Sequence, residues 1–238
     1  MTQKVESIRM DIRHSFSLSA DTYNNANIIQ AKVIRHLIRL LNDHPKCLLD
    51  IGCGRGGVYE NLPYRPEHFV GIDFAEGMLA LHPKGEHITL LQHDFNDPKT
   101  FEALSRFHFD RIISASALQW AHDLDATLAH IASLQTPVTL AIFTSGTFRT
   151  LHQTASLPPI LRDEETTRDL LNKHFSGHIE TLHFDLKFAS VRHMFRYMKH
   201  SGVGVGRNVL SLTQMRALMR DYPIDHLEYE IVIMHQKG

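Results

Sequence analysis

Asp50, Gly52, Gly54, Gly56 and Gly57 fall within one short stretch, D-I-G-C-G-R-G-G, directly after the apolar run CLLDI. Glycines alternating after a strand let the chain turn through φ angles closed to other residues, and they let backbone amides approach a ligand closely. Gly52, Gly54 and Gly57 satisfy the G-x-G-x-x-G of dinucleotide-binding loops, whereas Asp50, Gly52, Gly54 and Gly56 satisfy a second pattern, D-x-G-x-G-x-G. The loop alone does not choose between them. Asp73 ends a second apolar run, HFVGID, where a carboxylate can accept hydrogen bonds from both hydroxyls of a ribose. Asp94 follows a third, HITLLQ, and has Phe95 beside it; the acid can accept from an adenine amino group while the ring covers a base. A dinucleotide site needs no acid at that third place. The 18 His are scattered without an HExxH pair, and the two Cys, Cys47 and Cys53, are too few for a multi-Cys zinc site, so no metal is expected.

Short strands must hold these acids in line. CLLDI (47–51), HFVGID (68–73), HITLLQ (87–92), FDRIISA (109–115) and VTLAIF (138–143) are apolar, β-rich runs separated by helical or turn-rich stretches. Helical spacing occurs near 75–81, 98–106 and 123–135, and Asp97-Pro98 reads as an N-cap followed by Pro at the first helical position. Such β-α alternation predicts a parallel sheet covered on both faces. Before it, residues 2–43 read as helical. After Phe143, Gly, adjacent prolines and mixed periodicity suit a lid or substrate-side insertion, with a helix near 163–174, a strand at 178–188, helices at 189–201 and 211–221, and a last strand at 225–235. Length and an apolar content of 43% suit one domain with an elaboration. The expected division is 1–45 as an N-terminal helical cap, 46–145 as the cofactor-binding core and 146–238 as insertion and last strands. The net charge of −1 argues against a general polyanion binder, so no nucleic-acid partner is expected. No signal-like or membrane-spanning apolar stretch is read, and a reducing cytoplasm is the expected setting.

LLDIGCGRGG, VGIDFAEGML, LLQHDF and FDRIISASALQW, in that order, resemble the class I S-adenosylmethionine-dependent methyltransferases. The resemblance implies a Rossmann-like α/β fold: a seven-stranded, mostly parallel sheet with an antiparallel last strand. It implies S-adenosylmethionine as cofactor, with Asp50, Gly52, Cys53, Gly54 and Gly56 facing its methionine part. Asp73 and Phe74 would face the ribose, Met78 and Phe95 the adenine faces, and Asp94 the adenine amine. Arg55 departs from the pattern, which more often has Thr or Ser there. HSFSLSADTYNNANIIQ (14–30), SALQW (116–120), YMKHSGV (197–203) and YEIVIMH are similar to the malonyl-acyl-carrier-protein O-methyltransferases of biotin synthesis. That similarity implies Tyr23 on the substrate side and Gln30 on the cofactor side, although Asn24 replaces a common Asp.

A sulfonium methyl group is electrophilic, and its transfer depends on distance, alignment and exclusion of water. A malonyl carboxylate is ionised at neutral pH and needs no general base. His93, His122 and Asp123 would matter only for a phenol or amine acceptor. Trp120 follows the fourth strand as a pocket wall or a core anchor, and Arg149, Arg192 and Arg196 are the candidates for gripping an acceptor carboxylate. From Leu186 to Arg220 there is no Asp or Glu, while Lys187, Arg192, Arg196, Lys199, Arg207, Arg216 and Arg220 are cationic. Val191, Phe195 and Met198 read as the buried stripe of that stretch, with Arg192, Arg196 and Lys199 on another face, where an acidic acyl carrier protein would dock or a solvated surface would suffice. Other readings are methylation of another small carboxylate or a quinone-like ring, a nicotinamide-dependent oxidoreductase, and a non-catalytic cofactor-binding protein.

Overall fold

The computed structural model describes residues 28–201 and 211–238. A first helix, α1 (Ile28–Leu40), leads into β1 (Cys47–Ile51), α2 (Gly57–Asn61), β2 (His68–Asp73), α3 (Glu76–Leu81), β3 (Ile88–Gln92), α4 (Pro98–Leu104) and β4 (Arg111–Ala115). A 3-10 turn (Leu118–Trp120) precedes α5 (Leu124–Ser133), β5 (Val138–Phe143), α6 (Arg149–Thr154), α7 (Glu164–His174), β6 (His178–Lys187), α8 (Val191–Ser201), α9 (Leu212–Asp221) and β7 (His226–His235). The sheet order is β3-β2-β1-β4-β5-β7-β6; β1 to β5 run parallel and β7 is antiparallel to both neighbours. Order reverses between β1 and β4, so the carboxyl ends of these two strands flank the crevice where such sheets bind ligands.

β1, β2, β4 and β5 are buried almost throughout because helices cover both faces, which is why they read as continuous apolar runs rather than alternations. One face packs Val33 and Leu37 of α1, Tyr59 of α2 and Met194 of α8 on Leu48, Phe69 and Ile113. The other packs Phe101 of α4, Leu128 of α5 and Leu171 of α7 on Leu49, Ile72 and Ile112. Asp97 caps α4 by accepting the Lys99 amide at 3.0 Å with Pro98 at the first helical position, a contribution of about 1 kcal/mol. The α8 stripe differs from expectation. Met194 is fully buried beside Met198, while Val191 and Phe195 are half-buried, because the helix meets the sheet along its 194–198 edge. Helix α6, unread in the sequence, begins after Phe148 takes a left-handed φ of 57°.

At the amino edge of the sheet a buried guanidinium pairs with an exposed carboxylate. Arg111, 1% exposed, donates to Asp43 at 2.6 Å and to the carbonyl of Gln236.

Candidate functional site

β1 carries Asp50 into the carboxyl edge and stops at Ile51, after which Gly52, Gly54 and Gly56 all take positive φ (74°, 54° and 92°). Gly52 turns tightly: its amide and that of Cys53 both donate to the Ile72 carbonyl, at 2.8 and 3.0 Å, and a Cβ there would overlap that of Ala117. Gly54 is the reverse case, with nothing within 4 Å of a Cβ position. Its amide donates to Asp73 Oδ2 at 3.0 Å, and the Ala75 amide donates to Oδ1 at 2.8 Å. Asp73 thereby joins the glycine loop to the start of α3. Each of its oxygens keeps acceptor capacity for a ligand hydroxyl.

Asp50 is 1% exposed, and neither carboxylate oxygen has a hydrogen-bond partner among the described residues. Burial, then the nearby charge of Asp73, pushes its pKa well above the usual carboxylate range. Asp73 is also raised by burial, with the Ala75 and Gly54 amides pulling the other way. A buried carboxylate without a partner is costly unless a cationic group arrives. S-adenosylmethionine brings a sulfonium and an ammonium, and supplies the electrophilic methyl group. The unpaired Asp50, the open side of Gly54 and the strand-end Asp73 fit it. Because the carboxylate of Asp50 is penalised only in the folded protein, the penalty is absent below the ordinary carboxylate pKa, grows as pH rises from there toward the raised one and is complete above it. Asp50→Asn is therefore expected to raise the melting temperature of the cofactor-free protein, more at pH 8 than at pH 5, while weakening cofactor binding. Thermal melts paired with calorimetric titration check both.

Asp94 sits just beyond β3, where its Oδ1 accepts the backbone amide of Asn96 at 2.9 Å and its side-chain amide at 2.8 Å. Asn96 in turn accepts the His122 amide at 2.7 Å, tying this turn to the segment after β4. Phe95 is buried in the core on the α4 side and Met78 is buried on α3, while Phe74 is half-buried. Cys53 is buried against Gly71, and burial followed by Asp50 and Asp73 drives its thiol pKa up, so it fills space and is not a nucleophile. Gln30 lies half-buried on α1; Tyr23 lies outside the described residues.

Ser116 follows β4 with φ 73° and a buried hydroxyl that has no hydrogen-bond partner among the described residues. The Gln119 side-chain amide donates to the Ser116 carbonyl at 2.7 Å, leaving its buried oxygen without a partner there as well. Between these two residues, Ala117 packs against Gly52. Trp120 is half-buried at the end of this turn. Asp123 caps α5 through the Ala126 amide at 3.0 Å.

Arg149 is exposed and reaches Glu228 Oε1 at 3.1 Å; Arg192 and Arg196 are exposed on α8. Arg162, passed over in the sequence, is half-buried. It donates to the carbonyls of Ala121 (2.7 Å) and His122 (3.2 Å), and its own carbonyl accepts the Ser145 amide at 2.8 Å. Arg162 thus ties the segment after β4 to the one after β5. No pattern marks it, since its partners are backbone groups some forty residues away.

A sequence profile described as a methyltransferase domain matches residues 49–139. Among curated proteins, the malonyl-[acyl-carrier protein] O-methyltransferase of Halorhodospira halophila is 25% identical, with 97% of this chain and 88% of that protein covered. The protein of the same name from Halalkalibacterium halodurans is 28% identical over 184 residues, covering 69% of this chain and 68% of its own. Among solved structures, the complex between the Haloferax volcanii Trm112 methyltransferase activator and a methyltransferase gives a TM-score of 0.57 at 14% identity, with 95% of this chain and 98% of that chain covered. The [4+2]-cyclase SpnF gives 0.52 at 12% identity, covering 87% and 82%. The cyclase illustrates that this fold does not by itself set the reaction. The profile match spans the strands that build the carboxyl edge described above: over residues 49–139 the chain is similar to methyltransferase domains, and its sheet has the class I methyltransferase fold.

Proposed function

We propose that the chain transfers the methyl group to a carboxylate oxygen of a malonyl thioester carried on acyl carrier protein, as in biotin synthesis. The observation that carries this reading is the span of the resemblance: a curated relative named for that reaction aligns along nearly the whole chain, including the acceptor-side third. The chemistry is economical. The acceptor arrives ionised, so the protein must align it with the methyl group and exclude water, without removing a proton. In this proposal residues 46–145 hold the cofactor, 146–238 cover the acceptor and 1–45 cap the site. The setting is the cytoplasm, in keeping with two free cysteines; among the described residues no helix is long and apolar enough to cross a membrane.

The carrier would meet the exposed face of α8 that presents Arg192 and Arg196, with Lys187 and Arg216 exposed nearby in sequence. Docking charges mainly raise association rates and are screened by salt. A methyl-transfer assay comparing malonyl-carrier protein, malonyl-CoA and unrelated small acids tests the reading. The carrier-bound substrate is expected to be preferred. Reversing Arg192 and Arg196 to Glu should raise its KM several-fold at low salt, on the order expected for rim charges, with a smaller effect on malonyl-CoA. Turnover of unrelated acids alone overturns the malonyl assignment. An unchanged KM in the reversed-charge variant removes α8 as the docking face.

A further inference from the structure

His82 closes the last turn of α3 and is 2% exposed. Its Nδ1 lies 2.8 Å from the Pro83 carbonyl, which can only accept, so Nδ1 carries the proton and Nε2 presents a bare lone pair. That Nε2 is buried and has no hydrogen-bond partner among the described residues. The imidazole and the Pro83 ring together form the wall behind Gly56. A Cβ on Gly56 would lie 2.6 Å from Pro83 Cδ, 3.0 Å from His82 Cδ2 and 3.1 Å from His82 Nε2. The left-handed φ of 92° at Gly56 is therefore set against this wall.

The same ring bridges three other elements. Its centroid is 5.5 Å from that of Phe69 on β2 and 6.0 Å from that of Tyr59 on α2, and its own helix carries Met78. Tyr59 is in turn fixed by a 2.7 Å hydrogen bond to His87 Nε2, ahead of β3. His82 thus sits where the glycine loop, β2 and the Met78 helix meet.

We propose that His82, as the neutral Nδ1–H tautomer, is a positioning residue that holds the glycine loop at Gly56 against the Met78-bearing helix, so that protonating it loosens the loop and weakens cofactor binding. A protonated ring would need a partner for Nε2–H. Among the described residues the facing groups offer no carboxylate bonded to the ring: Tyr59 and Phe69 flank it, Lys84 adds a positive charge from the following turn, His87 is engaged by Tyr59, and Glu60 on α2 acts through charge alone. Burial first, opposed by the Pro83 carbonyl, lowers the pKa of His82. The neutral ring's contribution is therefore present above the ordinary histidine pKa and is lost as pH falls through the lowered one.

The test is calorimetric titration of the full chain with S-adenosylhomocysteine between pH 8 and pH 5, for native protein and His82→Gln, which keeps polar atoms but cannot gain a proton. Native affinity is expected to fall toward about tenfold per pH unit below the His82 midpoint, the limit for one linked proton. His82→Gln should bind a few-fold more weakly at pH 8 but lose that component of the pH dependence, leaving only what Asp50 and Asp73 contribute. An identical pH profile in the two proteins overturns the proposal. If the variant does not fold, imidazole NMR of the native protein decides, since linkage is reciprocal. Saturation with S-adenosylhomocysteine must then lower the His82 midpoint, and an unmoved midpoint overturns the proposal. Absence of binding at pH 8 would instead count against the cofactor assignment on which this inference rests.

Discussion

Gly52→Ala is expected to lower the melting temperature by roughly 4–20 °C and to abolish measurable cofactor binding, whereas Gly54→Ala should cost less stability and still impair binding. The two glycines share a left-handed φ, and a side chain in that region costs roughly 1–2 kcal/mol at either place. They differ in what a methyl group meets. At Gly52 it overlaps Ala117, adding an overpacking cost of about 1–3 kcal/mol in a loop pinned by two amide bonds to Ile72. For a domain of this size each 1 kcal/mol moves the midpoint by about 2–4 °C. At Gly54 the same methyl meets nothing, so only the backbone cost remains and the melting temperature should fall by about 2–8 °C. If that open side is where S-adenosylmethionine lies, the methyl occupies ligand space and affinity should drop about tenfold or more, a loss of roughly 1.4 kcal/mol. Differential scanning calorimetry and titration of both variants separate the effects. Normal binding by Gly54→Ala would show that the cofactor lies elsewhere.

Asp43→Ala should cost about 3–5 kcal/mol of folding stability with cofactor affinity unchanged in the molecules that remain folded. Arg111 begins β4 at the edge of the sheet opposite the glycine loop, and it is almost wholly buried while Asp43 is 38% exposed. Removing Asp43 leaves a guanidinium stranded with the Gln236 carbonyl, and its Nε already has no partner among the described residues. Removing the other member is gentler: Arg111→Met leaves a carboxylate that water can reach. Urea unfolding should therefore rank Asp43→Ala below Arg111→Met. The reverse order would mean that the pair does not hold the amino edge.

The strands and the acids at their ends were legible because each is a local pattern: five apolar runs, each closed by a turn, in a β-α alternation. The antiparallel last strand came from resemblance, since a run such as EYEIVIMH does not state its direction. What stayed hidden is long-range. Arg149 reads as a free cation until Glu228, 79 residues later, is seen to hold it. Arg162 reads as one more surface arginine, although it spans two connecting segments. In α8, Val191, Phe195 and Met198 fit helical spacing, but so does Met194; only the angle of approach to the sheet decides which side chain is buried. His82 lies between a leucine and a proline, and nothing near it in sequence announces contact with Gly56.

Glu230 shows how the end of β5 is wrapped. Its carboxylate accepts from Thr144 Oγ1 at 2.6 Å and the Gly146 amide at 3.1 Å, and a side chain on Gly146 would collide with it. Downstream, β6 leaves at Lys187 and β7 returns at His226, and these two residues are register partners. The whole excursion between them, with α8 and α9, therefore departs and arrives at neighbouring points on the sheet. Closing a long loop costs little more than closing a short one, because the entropy grows only with the logarithm of length. The stretches that connect the excursion's core-packed residues, such as Met194 and Leu218, can thus vary in length while the strand pairing on either side is left intact. Such a chain can change the surface it presents there without rebuilding the strand ends that carry Asp50, Asp73 and Asp94.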